Sequence, residues 1–181
     1  MKKDIRICGF GGQGVILAGF IIGKAASVFE NYHAVQSQSY GPEARGGAAR
    51  SEIIISDEKI GYPRPVGVDC LVAMSQESFD TYRDDIRDDA VIILDPDLVK
   101  KHEIGRKLYK VHALKIAEEL GNKIVTNIVM VGAFTSIYGL LKPEAVKESV
   151  IDSVPKRFTE LNVKAFERGF EAGKNALKEL W

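Results

Sequence analysis

Residues 9–19, GFGGQGVILAG, follow directly on the apolar run of Ile5, Ile7 and Cys8, and they place glycines at 9, 11 and 14 in the spacing G-x-G-x-x-G. An apolar strand, a glycine turn and a helical stretch opening at Val15 leave few folds available. The glycines allow close backbone approach, and the first helical turn aims unpaired N–H groups and the positive end of its dipole at whatever sits over the turn. The turn alone leaves three readings open: a dinucleotide site, a site for another phosphate-bearing ligand, or close strand–helix packing with no ligand. A nicotinamide dinucleotide asks for an Asp or Glu at the end of the second strand, about 20 residues further on, to bond the ribose hydroxyls. Gln38 and Ser39 stand there, while Glu30 falls at the end of the first helix and Glu43 lies beyond the strand. Gln13 offers an amide and no charge, which suits recognition rather than acid–base chemistry.

The pattern after the turn alternates strands with helices. A first strand is expected over 4–9 and a helix over 15–30, where Val15, Gly19, Ile22, Ala26 and Phe29 recur at helical spacing. Strands follow over 34–39, 48–56, 69–74 and 90–95, with an edge strand in KLYKVHA. Ser75 is placed to cap a helix over 76–86. The last third is read as helices over 113–120, 124–141, 144–154 and 162–180, punctuated by Gly121, Pro143 and Pro155. The expectation is therefore an α/β domain, doubly wound and Rossmann-like, with a mostly parallel sheet and a helical C-terminal section. A chain of 181 residues, 45% hydrophobic, is read as one domain spanning 1–181.

A second glycine-rich loop, YGPEARGG at 40–47, follows the second strand. Gly41, Gly46 and Gly47 expose backbone N–H groups, and Arg45 and Arg50 supply guanidinium forks suited to phosphate or carboxylate. Tyr40 either stacks on a base or packs beneath the loop. Read blandly, the loop is a charged surface turn. Its position after a parallel strand brings it to the same carboxyl edge of the sheet as Gly11–Gly14, so the two loops are expected to share one site.

Charge and cysteine content remove several classes. Lys plus Arg equals Asp plus Glu at 25 each, so no global field draws the chain to nucleic acid or an anionic membrane. The apolar stretch at 124–141 is interrupted by Thr126, Asn127 and glycines, which argues against a membrane span, and the short, charged N-terminal run lacks a signal-peptide core. A cytoplasmic protein is expected. Cys8 and Cys70 form no C-x-x-C pair and read as buried thiols; two cysteines in one chain do not meet the four thiolates that an iron–sulfur cluster generally takes. His33, His102 and His112 are scattered, and no catalytic or metal-ligating set is assembled from them. Asp84, Asp85, Asp88 and Asp89 read as a solvated helix end, Asp95 and Asp97 around Pro96 as a turn cap, and Asn127 as a helix cap or a residue facing the sheet edge. Met130, Val131, Phe134 and Ile137 read as core.

GFGGQGV near the N-terminus, SQSYGPEARGG after one helix and a strand, and NVKAFERGFEAG near the C-terminus, in that order and with DCLVAM and VIILD between, resemble the gamma subunit of 2-oxoacid:ferredoxin oxidoreductases from about Ile5 to Gly173. Within that family the sequence is most similar to the separate gamma subunit of 2-oxoglutarate enzymes, with pyruvate, branched-chain and indolepyruvate relatives close behind. The resemblance implies a multisubunit enzyme that decarboxylates a 2-oxoacid oxidatively, transfers the acyl group to coenzyme A and passes electrons to ferredoxin. It implies thiamine diphosphate (TPP), magnesium and iron–sulfur clusters on partner subunits, alpha and beta, with a delta subunit as a further candidate, and an isolated gamma chain that is inactive. Matched to the family pattern, Gly11, Gly12, Gln13, Gly14, Tyr40, Arg45, Gly46 and Gly47 are expected at or near coenzyme A or at the subunit contact. Two other readings stand beside this one: a free-standing NAD(P)-binding Rossmann oxidoreductase, and a structural interaction subunit with no ligand.

Overall fold

Alternation along the first strand sets the layers. In β1 (Lys2–Phe10) Ile5 and Ile7 enter one apolar cluster and Cys8 enters another on the opposite side, as a period of two demands. The computed structural model describes residues 1–40 and 47–179. Its strands are β1, β2 (His33–Tyr40), β3 (Ala48–Ser56), β4 (Val68–Ala73), β5 (Ile86–Leu94) and β6 (Lys107–Lys110), joined in one sheet of order β2-β3-β1-β4-β5-β6. β1, β4, β5 and β6 are parallel neighbours, and β3 runs antiparallel to both β1 and β2, so β3 alone is reversed. The expected doubly wound, mostly parallel arrangement is present.

Helix α1 (Val15–Lys24) crosses one face and widens into a π-helical turn over Ala25–Phe29, so the helix expected over 15–30 changes pitch before it ends. On the same face lie α3 (Ala113–Glu119), α4 (Thr126–Tyr138), α5 (Pro143–Ser153) and α6 (Thr159–Lys178). A 3₁₀ turn at Lys123–Val125 leads into α4, and Gly139 in the left-handed conformation ends it, which shortens the helix expected over 124–141. Every residue of α4 from Thr126 to Thr135 is buried. Met130, Val131 and Phe134 are core as expected, with Ile137 partly buried against them. Such a helix needs close partners all round, and α6 meets it backbone to backbone. A Cβ on Gly169 would overlap the Val129 carbonyl, and one on Gly132 would overlap that of Phe166. Among the described residues no helix is long and apolar enough to cross a membrane.

The other face is covered by α2 (Gln76–Tyr82), capped by Ser75 Oγ accepting from Ser78 N at 3.3 Å. This helix stops short of the expected 86. Ile86 is already in β5, and Asp85, in the turn before it, is held by Arg6, which is only 3% exposed. Arg6 Nε donates to Glu52 at 2.9 Å and its Nη2 donates to Asp85 at 2.9 Å. Burial opposes the guanidinium's charge, but hydrogen bonds with Asp85 and Glu52 outweigh it and raise its pKa; the same contact lowers that of Asp85. All four carboxylates of the acidic run are exposed, as expected, but beyond the helix: Asp84 and Asp85 stand in the turn after α2, where Asp85 closes an ion network with Arg6, and Asp88 and Asp89 lie on the opening of β5. Cys8 and Cys70 are buried free thiols on opposite faces, and burial pushes the Cys8 thiol up to about 12.

Candidate functional site

α1 leaves β1 on one face and α2 leaves β4 on the other, so the topological switch point lies between the carboxyl ends of these two strands, where open α/β sheets hold their ligands. The glycine turn forms one lip of that crevice. Gly12 and Gly14 take φ of +95° and +74°, conformations that glycine adopts without a Cβ clash. Gly14 is the N-cap of α1 and has no side chain to satisfy the first turn, which contains no acidic residue. Its N–H groups are therefore left for a ligand or water.

Gln13 closes the floor. Its Oε1 accepts from Phe10 N at 2.6 Å and its Nε2 donates to Met74 O at 3.0 Å, tying the ends of β1 and β4 together. The amide anticipated from the sequence as a recognition group is committed to the scaffold. Asn127 ties α4 to the same turn: Nδ2 donates to Gly14 O at 3.1 Å while Oδ1 accepts from Ile128 N at 2.9 Å. A Cβ on Gly14 would overlap this side chain, so the glycine is required by packing as well as by backbone conformation. Of the two roles the sequence leaves open for Asn127, the structure shows the second: it lies inside the first turn of α4, whose N-cap is Val125, and faces the glycine turn at the sheet edge.

The second loop meets the first. Gly47 O accepts from Gly11 N at 3.2 Å, and within the sheet Phe10 and Tyr40 stand opposite the adjacent Ala48 and Ala49. Tyr40, 61% exposed, ends β2 at this edge. Arg45 and Gly46 lie outside the described residues. Gln38, Ser39 and Tyr40 bring no carboxylate to the described end of β2, and the Glu30 carboxylate accepts from Lys142 N.

Two clefts adjoin the turn, and sequence reasoning missed most of their lining. One, of about 260 Å³, is bounded by Gly12, Gln13, Leu98, Leu114, Lys123 and Thr126. The other, of about 320 Å³, lies toward the first turns of α1, α4 and α6, with Gly12, Gly14 and Asn127 on one side and Phe158 and Asn162 on the other. Ile124, 74% exposed, borders both. The available signal was the motif NVKAFERGFEAG: its first residue, Asn162, reaches this cleft, and its Gly169 and Gly173 pack α6 on α4.

Near the first cleft, Asp95, Asp97 and His112 bring ligand atoms within 4.8 Å of one another. Asp95 is fully buried, and burial raises its pKa against the backbone donors Leu114 N at 2.7 Å and Asp97 N at 2.8 Å. Both carboxylate oxygens are occupied by these bonds. The hydrogen bond from His112 Nδ1 at 2.7 Å lowers the pKa of Asp97. The turn-capping role expected for Asp95 is what the geometry shows.

Fold and site together define a doubly wound α/β protein with a phosphate-compatible glycine turn at its switch point. Residues 4–172 match the family pyruvate ferredoxin/flavodoxin oxidoreductase, and the chain belongs to it. It is 48% identical over 178 residues to the 2-oxoglutarate synthase subunit KorC of Methanocaldococcus jannaschii, covering 96% of this chain and 95% of the relative. The crystal structure of a keto/oxoacid ferredoxin oxidoreductase gamma subunit from Geobacter sulfurreducens aligns with a TM-score of 0.89 and 41% identity over 97% of this chain and 98% of that one. A third match shares the fold at 22% identity and a TM-score of 0.84: the 2-oxoglutarate:ferredoxin oxidoreductase of Magnetococcus marinus, bound to 2-oxoglutarate, coenzyme A and succinyl-CoA. It covers 96% of this chain but 31% of that one. By length and coverage the present chain is of the gamma-subunit type, and its relatives are subunits of oxidoreductases.

Proposed function

We propose that this chain serves a 2-oxoglutarate:ferredoxin oxidoreductase, supporting coenzyme A-dependent oxidative decarboxylation to an acyl-CoA with electrons passed to ferredoxin, and that its glycine turn receives a phosphate of coenzyme A. The observation that carries the reading is the junction of the two glycine loops, Gly11 N to Gly47 O at 3.2 Å, beside the uncapped start of α1. That junction offers N–H groups and a helix dipole to an anion in a chain with no net charge to attract one. Full-length similarity to 2-oxoglutarate synthase subunits supports the substrate. Two buried cysteines on opposite faces of the sheet do not fit cluster ligation, which supports iron–sulfur clusters on partner subunits. By family resemblance, TPP and magnesium are assigned there too, on alpha and beta subunits with a delta subunit as a further candidate.

The internal use of Gln13 favours a second reading, in which the turn is a scaffold for docking larger subunits. The test is to purify the complex from its host through this chain, assay 2-oxoacid- and coenzyme A-dependent reduction of an artificial acceptor, and titrate coenzyme A calorimetrically into the wild-type and Arg45→Ala complexes. Weakened coenzyme A binding with intact assembly is the expected result. Unchanged affinity with weakened assembly would overturn the ligand role in favour of docking.

A further inference from the structure

The two edges of the sheet are finished differently. β6 is 4 residues long and carries Lys107 and Lys110 at its ends, the short, charged form that discourages a further strand from adding. β2 is 8 residues long, holds no Asp, Glu, Lys, Arg or Pro, and pairs with β3 in unbroken register from His33 to Tyr40. Among the described residues no strand lies on its outer side, so a regular, uncharged row of backbone N–H and C=O groups is open to pairing.

An apolar groove accompanies that edge on the α1 face. It measures about 370 Å³, and Phe20, Gly23, Ser27, Val28 and Ala34 are among its walls. Phe20 is 47% and Val28 63% exposed. The same strand carries a group suited to fill such a groove. By alternation the exposed Tyr40 shares a face with Ala34 and with Gln36, whose Nε2 donates to Ile16 O at 3.0 Å in α1. A groove at one end of a strand and an exposed aromatic at the other are the two halves of a two-fold contact.

We propose that β2 is the seam between two copies of this chain, paired antiparallel about a two-fold axis at Ser37, with the Tyr40 of each copy seated in the groove of the other. In that register Ala34 faces Tyr40 of the second copy, Val35 faces Ser39, Gln36 faces Gln38 and Ser37 faces Ser37. Each pair then lies on a common side of the joint sheet, as directly opposed antiparallel residues must, and no like charges meet. The small Ala34 side chain leaves space for the incoming ring. Lys24 borders the groove with its Nζ 5.9 Å from the Phe20 ring centroid, a cation placed beside aromatic surface. A second copy supplies the strand, its length and the aromatic at once. Because β1 and β2 both run antiparallel to β3, the pairing turns the two glycine turns toward opposite ends of the joint sheet, so the seam does not depend on what either turn binds.

The test joins cross-linking to sedimentation, in the full-length chain and in the complex purified through it. Ser37→Cys brings two thiols together at the axis, where directly opposed Cβ atoms stand about 4.5–5.5 Å apart. The chain's own Cys8 and Cys70 are buried. Mild oxidation is expected to link Ser37→Cys chains to one another, with the joined peptides identified by mass spectrometry. Val35→Cys should not link to itself, since Val35 faces Ser39 and lies about 13 Å from its own counterpart along the strand. Wild type is expected to sediment as a dimer of the chain, and Val28→Glu, which puts a carboxylate in the groove, to weaken that association about tenfold or more. Val28 is largely exposed, so this variant keeps the proposal testable even where the cysteine variants fail to fold. Self-linking of Val35→Cys without Ser37→Cys overturns the register and the seating of Tyr40. A Ser37→Cys disulfide to a larger subunit gives the edge to that partner and overturns the seam, as does a wild-type chain that is monomeric alone and present once per complex. Unchanged association of Val28→Glu overturns the role of the groove. None of these readouts involves coenzyme A, so the seam and the reading of the glycine turn fail separately.

Discussion

The two faces of the sheet solve the same burial problem with opposite chemistry. Toward α1 and α3–α6, Ile5, Ile7, Ile53, Ile55 and Val72 meet an apolar layer that closes to backbone contact at Gly132 and Gly169. Toward α2, the alternate residues of the same strands include Arg6, Glu52 and Asp4, and the layer depends on ionic hydrogen bonds as well as on Leu71, Phe79 and Ile92. The apolar face also builds one side of the ligand crevice, because α4 and α6 begin there. The contrast teaches that the two faces are sensitive to different changes: the first to an added methyl group where backbones touch, the second to loss of a partner in its ion network.

The harshest test of that contrast is Gly169→Ala. Its Cβ has to displace the Val129 backbone, so we expect a loss of about 3 kcal/mol or more in urea denaturation, beyond the usual range for overpacking. A tolerated alanine would show that the α4–α6 contact is slack. On the other face, Arg6→Met leaves the buried Glu52 with only the more distant Arg50, 3.8 Å away, and should cost about 3 kcal/mol. Adding Glu52→Leu should recover most of that loss, since hydrophobic replacement of a whole buried pair is often near neutral. A double variant no better than the single would mean that the network specifies the packing as well as neutralising its charges.

Smaller effects sharpen the picture. Asn127→Ala removes the tie between α4 and Gly14 and should cost about 1–2 kcal/mol, with coenzyme A affinity falling in the assembled complex. Stability without binding loss would place Asn127 in the scaffold alone. The smallest change is expected from acid. The Asp85 pKa is lowered by Arg6, so its stabilisation is present above the ordinary carboxylate value of about 4 and is lost as pH falls through the lower folded value. Asp85 is half exposed, which screens the effect to below about 1 kcal/mol; Asp85→Asn should flatten the acid limb of a stability–pH profile slightly. Asp95 works in the opposite direction. Burial raises its pKa, so the folded state gains relative stability on acidification through that range.

Much of this was legible before any coordinates. Local pattern placed the strands in order, the glycine turn and the Ser75 cap, because side-chain alternation, cap chemistry and glycine spacing act over a few residues; it missed the start of β5 at Ile86 and the start of α6 at Thr159. Gly11–Gly14 and Gly47 were also correctly brought together, since parallel strand ends share an edge. The fate of Gln13, the reversal of β3, the pairing of Asp85 with Arg6 and the arrival of Asn162 at the glycine turn were decided only by tertiary structure. For the side chains among these the partners are distant in sequence and polar, and nothing in local periodicity says whether an amide or a carboxylate will meet ligand, water or another strand. Hydrophobic spacing specifies which face of an element turns inward; only the assembled packing determines which buried polar atoms are satisfied by the protein and which are left for something to bind.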